Sequence, residues 1–132
     1  MIRTALRVGL CLVVLLAAGC ASGPFKDLPN PFAKDEGKAL LEEGLRDYED
    51  GNYRTAGRKI KAALDEGLRA RSDRVTAHKY LAFINCVSNR EIQCREEFRV
   101  AFEIDPRFDL TAAEAGHPIW GPVFRSVKER AL

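Results

Sequence analysis

Four cysteines and two histidines are the side chains of this 132-residue chain with the greatest capacity for chemistry. Cys86 and Cys94 stand too far apart for the Cys-x-x-Cys pair that places a reactive thiolate at a helix N-terminus. Structural zinc would need ligand pairs at close spacing, yet His78 precedes Cys86 by two helical turns and His117 lies in the C-terminal tail. No metal site is expected. Ser22, Ser72, Ser88 and Ser126 show no nucleophile-base-acid pattern with the histidines, although such sets are assembled in space rather than along the chain. With no glycine-rich phosphate loop either, the chain is a poor enzyme candidate and calls for no cofactor. His78 is expected to pack or face solvent on a helix, and His117, before Pro118, to cap a turn.

The elements that position these residues begin with Met1 to Gly19: a positive start at Arg3 and Arg7, an apolar segment from Val8 to Leu16, then Ala17, Ala18 and Gly19. This is the grammar of a signal peptide. A membrane-spanning helix needs about 17 to 25 apolar residues, whereas this run ends at about a dozen before Pro24, Lys26 and Asp27. The formal charge of +2 also belongs to the leader, because without Arg3 and Arg7 the 21 basic residues fall to 19, equal to the 19 acidic ones. The mature chain therefore has no electrostatic footprint for nucleic acid.

The run Leu16-Ala17-Ala18-Gly19-Cys20 resembles the bacterial lipobox, with Ala17 where leucine is more usual. The resemblance implies cleavage after residue 19 and acylation of Cys20, for instance with palmitate, so that Cys20 ties the protein to a membrane. Each buried methylene contributes ~0.8 kcal/mol to membrane binding. Ala21 follows the cysteine, not the aspartate that a resemblance to inner-membrane lipoproteins requires, so a periplasm-facing position on the outer membrane is expected. From residue 20 to 34 the chain reads as a tether, since Pro24, Pro29 and Pro31 prevent a continuous helix; Phe25, Leu28 and Phe32 are available to dock on the domain or to lie near lipid.

From residue 35 to 132 the periodicity is helical. Leu40, Leu41, Gly44, Leu45 and Tyr48 recur at three- and four-residue spacing until Asp50-Gly51-Asn52 breaks the run. A second helix opens near Tyr53 and carries Ala56, Ile60, Ala63, Leu64 and, at its end, Leu68 on one face. The pattern returns 38 residues later. Gly44 aligns with Ala82, Gly51 with Asn89, Ala56 with Cys94, Ile60 with Phe98, Ala63 with Ala101 and Leu64 with Phe102. Small falls on small and large on large, as two close helix hairpins require.

Leu81-Ala82, then Cys94, Phe98, Ala101 and Pro106, resemble the tetratricopeptide repeat pattern. The first copy departs from it, with Glu43 for a leucine, Ile60 for the aromatic and Leu68 for the closing proline, and extra residues at Arg69 to Asp73 lengthen the connection. The expected fold is all-α: two tetratricopeptide-like helix hairpins plus a C-terminal capping helix. Such repeats leave one hydrophobic face for a neighbour to cover. Thr111-Ala112-Ala113-Glu114 has the spacing of a capping box, and beyond Gly116-His117 a helix opening at Pro118, or one turn later because of Pro122, places Ile119, Trp120, Val123, Phe124 and Val127 on one face.

With Cys11 in the leader and Cys20 acylated, Cys86 and Cys94 remain as a pair in an exported, oxidising compartment. They flank the Ser88 to Glu91 turn, so a disulfide locking the second hairpin is expected. Tetratricopeptide arrays bind a peptide or helix on the face lined by the first helix of each unit, which by that resemblance would be Leu41, Leu45, Tyr48, Lys79 and Phe83 here. Apolar stripes at this spacing also serve as core.

The lipobox, the cysteine hairpin, the Phe98 to Pro106 segment and the tail AEAGHPIWGPVF, Ala113 to Phe124, together resemble the TssQ-like lipoproteins associated with type VI secretion. The resemblance covers most of the mature chain and implies an accessory adaptor whose partner is an envelope or secretion-system protein or peptide. A pilotin-like or outer-membrane assembly lipoprotein is the alternative within the binding class. From another class, a thiol-disulfide enzyme using Cys86 and Cys94 predicts a solvent-reactive disulfide.

Overall fold

The computed structural model describes residues 35–131. The leader, Cys20, the tether and Leu132 lie outside the described residues. Within them every regular element is a helix: α1 (Glu36–Glu49), α2 (Tyr53–Glu66), α3 (Arg71–Val87), α4 (Glu91–Ile104), the single turn α5 (Ala112–Ala115) and α6 (Trp120–Ala131). Two hairpins, α1–α2 and α3–α4, are followed by a C-terminal helix.

Local sequence accounts for where these helices start and stop. The Asp35 carboxylate accepts a hydrogen bond from the Lys38 backbone N–H at 3.0 Å and caps α1. The α1–α2 turn needs a left-handed residue, supplied by Gly51 at φ 77°. Its repeat counterpart, Asn89, takes φ 58° and is the one non-glycine residue with positive φ among the described residues. Asparagine tolerates that region better than most side chains. The 38-residue alignment thus pairs two positions with the same backbone task.

The small-on-small register governs how closely each hairpin packs. A Cβ on Gly44 would lie 2.7 Å from Ile60 Cγ1 and 3.3 Å from the Ala56 carbonyl oxygen, so α1 and α2 meet where no side chain fits. In the second hairpin Ala82 holds the matching place and is fully buried, as are Cys94 and Phe98, the counterparts of Ala56 and Ile60. The extra residues between the two copies lie partly inside a helix rather than wholly in the connection: Arg71–Asp73 form the first turn of α3, which is longer than α1, α2 or α4. Arg71 then donates to the Ile104 carbonyl oxygen at 2.6 Å and pairs with Asp105, so it caps the end of α4.

Two apolar clusters result. One joins Leu41, Ala56, Ile60, Ala63 and Leu68 to Ala77, Leu81 and Ile84 of α3. The other joins Phe83, Phe98 and Phe102 to Phe108, Trp120, Val123, Phe124 and Val127. Tyr48 and Tyr80 pack against both. Helix α6 touches α4 and α3 as α3 touches α2 and α1, so it stands where the first helix of a third repeat would stand and covers the second hairpin. It begins at Trp120 with Pro122 in its first turn, where a missing N–H costs nothing. Ile119 therefore precedes the helix and is exposed rather than part of the buried face.

Candidate functional site

The expected partner face is largely filled by the protein itself. Leu41 is 3% exposed and Phe83 2% exposed, so both are core residues and cannot line an open groove. Leu45, Tyr48 and Lys79 are partly buried. Leu41 is buried against α2 and α3, with Leu45 packed on the same cluster, whereas Phe83 and Lys79 are covered by Trp120 and the segment around α5. Trp120 stacks on Phe83 with ring centroids 4.3 Å apart and planes inclined by 20°. Lys79 Nζ lies 2.7 Å from Glu114 Oε1, with both side chains about four-fifths buried, and the ammonium sits 4.8 Å from the centre of the Tyr80 ring.

Glu114 holds this arrangement together through both ends of its residue. Its Oε2 accepts from the Thr111 backbone N–H, and the Thr111 hydroxyl accepts from the Glu114 N–H, which is the capping box expected from sequence. Its carbonyl oxygen accepts from Trp120 Nε1 at 2.8 Å. Burial pushes the Glu114 carboxyl up, but the hydrogen bonds from Lys79 and Thr111 outweigh it and leave the group below its usual 4.5. Burial, followed by the neighbouring Tyr53, Tyr80 and Glu114, pushes the Tyr48 hydroxyl up to about 12. Tyr48 is thus a neutral aromatic in contact with Tyr53, Tyr80 and Phe83.

The histidines have local tasks. His78 Nδ1 lies 2.7 Å from Glu97 Oε2 and joins α3 to α4. The His117 ring stacks on Trp120, and its Nδ1 accepts from the Ile119 N–H at 3.2 Å. Cys86 and Cys94 form a disulfide across the α3–α4 turn, with Cα atoms 5.2 Å apart. Both sulfurs belong to the second core cluster, Cys94 being fully buried. Among the described residues no cluster of three or more His, Cys, Asp or Glu could hold a metal ion, and no helix is long and apolar enough to cross a membrane.

Of the open grooves elsewhere, two run between neighbouring helices. One, of about 370 Å³, runs between α4 and α6 beside the exposed Ile92, with Arg95, Arg99 and Val127 on its walls. Arg95 and Arg99 are paired there with Glu91, Glu96 and Glu103. The other, of about 160 Å³, lies between α2 and α3 under Arg54, Arg58, Lys61 and Arg90. The sequence carries a signal for the second groove: Gly57, a glycine inside a helix between two arginines, where glycine is otherwise unfavourable.

No family model, curated protein or solved structure matches the chain.

Proposed function

We propose that this chain is a lipid-anchored, periplasm-facing adaptor of the outer membrane, built on two tetratricopeptide-like hairpins and serving as an accessory lipoprotein of a type VI secretion system. The observation that carries the reading is Cys20 at the end of a leader with lipobox-like residues, ahead of a domain whose remaining cysteine pair is closed as a disulfide. A buried Cys86–Cys94 bond suits an oxidising compartment, which agrees with export. A repeat domain that offers helix surfaces and clefts suits a binding protein.

Metabolic labelling with palmitate and membrane fractionation test the anchor, with Cys20→Ala as control. Label and membrane association that persist in the variant overturn it. Crosslinking and affinity capture from native envelopes test the partner. Enrichment of secretion-apparatus subunits, lost in Cys20→Ala, supports the type VI reading; enrichment of secretin or outer-membrane assembly components replaces it with the pilotin-like or assembly reading.

A further inference from the structure

Helix α2 carries a row of cations without acidic partners among the described residues. Arg54, Arg58 and Lys61 are spaced at i, i+4 and i+7, so they share one face and span about 10 Å along the axis. All three are exposed, and none forms an ion pair among the described residues. Lys59, on the neighbouring face, is different: it is paired with Glu43 and Asp47 of α1.

A fourth cation reaches the same groove from the next hairpin and is held in place. Asn85 is the one buried polar side chain among the described residues, at 6% exposure. A buried amide is costly unless it is hydrogen-bonded. Its Oδ1 accepts from Arg90 Nε at 2.9 Å, while its carbonyl oxygen accepts from the Arg90 backbone N–H at 2.9 Å. The guanidinium is thereby fixed at the groove edge, so less side-chain freedom remains to be lost on binding.

The floor between these cations is apolar and open. It is formed by Leu81 and Ile84 beneath Gly57, where a Cβ would meet Ile84 Cγ2 at an ordinary 3.8 Å. Glycine is therefore not forced there by close packing; its effect is to leave the cleft empty. Among the described residues no carboxylate lines the groove.

We infer that the α2–α3 groove binds an acidic segment of a partner protein, with carboxylates at successive helical turns against Arg54, Arg58, Lys61 and Arg90 and an apolar side chain over Gly57. A protein segment suits this geometry better than a bilayer, because the apolar floor is recessed between helices and needs a protruding side chain to fill it. The inference deepens the adaptor reading by naming the partner's chemistry, and it relies on that reading only for the partner's place in the envelope.

The test uses the full chain carrying Cys20→Ala, so that no acyl chain contributes. The probe is a short fluorescent helical peptide with glutamates at i, i+4 and i+7 around one leucine. Binding at low salt, weakened at least about tenfold by Arg58→Glu/Lys61→Glu and reduced as salt rises, is the expected result. Gly57→Leu, which fills the cleft without removing a charge, is expected to weaken it as well. Both variants alter positions outside the core clusters, and a thermal midpoint no lower than that of the parent chain excludes unfolding as the cause.

Absence of peptide binding, or equal binding by the charge-reversed variant, overturns the inference. Binding instead to phosphatidylglycerol vesicles, with the same dependence on Arg58 and Lys61, also overturns it and assigns the groove to the lipid surface. None of these results depends on Cys20 acylation, so the groove and the anchor fail separately.

Discussion

The Trp120 indole lies stacked on the Phe83 ring, 4.3 Å between centroids, and so places a residue of α6 on the face where a ligand of a repeat array would be sought. Both rings are buried. Removing either leaves a large cavity with little scope for collapse. Trp120→Ala and Phe83→Ala are each expected to lower stability by about 3–5 kcal/mol, in the range of aromatic truncations in cores, as read by urea unfolding. A change below about 1 kcal/mol would mean that α6 is not docked on α3.

The Cys86–Cys94 bond closes a short loop across one turn, so its stabilising effect is expected to lie below the roughly 3 kcal/mol of a 15-residue loop. Cys86→Ser/Cys94→Ser is expected to unfold at lower denaturant concentration with its helical circular dichroism retained. Because both cysteines belong to the core, Cys94 with no exposure and Cys86 with 6%, the native bond is expected to resist mild reductant. Rapid reduction in the folded state, with turnover of thiol substrates, would instead support the thiol-disulfide enzyme reading.

Glu114 links acid stability to the docking of α5. Its folded pKa lies below the usual 4.5, so its contribution is fully present above the unfolded value and is lost as pH falls from about 4.5 through the depressed folded value. Glu114→Gln is expected to cost about 1 kcal/mol at pH 7, discounted for partial exposure, and to be less sensitive than wild type over that acid interval. Parallel stability curves for the two proteins would show that the Lys79–Glu114 pair contributes nothing.

Two helical glycines should respond in opposite directions to the same substitution. Gly44→Ala places a methyl group 2.7 Å from Ile60 Cγ1 and is expected to destabilise by about 1–3 kcal/mol, the usual penalty for overpacking. Gly57→Ala meets only an ordinary contact with Ile84 and is expected to stabilise by about 0.5–1 kcal/mol through helix propensity. Thermal unfolding of the two variants checks the contrast.

Much of the fold is legible along the chain because its causes are local. The pairing of Gly51 with Asn89 marks two turns that both need left-handed backbone. Gly44 and Ala82 mark the crossings, and Thr111 with Glu114 marks a cap whose two hydrogen bonds span only three residues. Where sequence and structure part, the cause is packing. Ile119 has the right spacing for the buried face of a helix that starts at Pro118, but α6 begins at Trp120 and leaves it in solvent.

The sequence by itself determined the helical class, the two-hairpin repeat and its turns, because these follow from helical periodicity, from the turn residues and from a recurrence after 38 residues; the pairing of Cys86 with Cys94 followed only once Cys11 was assigned to a leader and Cys20 to acylation. Only the tertiary structure decided what happens to the expected partner face. Phe83 is equally compatible with a groove wall and with a core until a ring arrives from 37 positions further along the chain. The same holds for Lys79, whose charge is satisfied by Glu114 of α5, and for Arg90, which Asn85 holds beside the cations of α2. Long-range contacts consume one surface and leave another with uncompensated charge, and no period along the chain encodes that division.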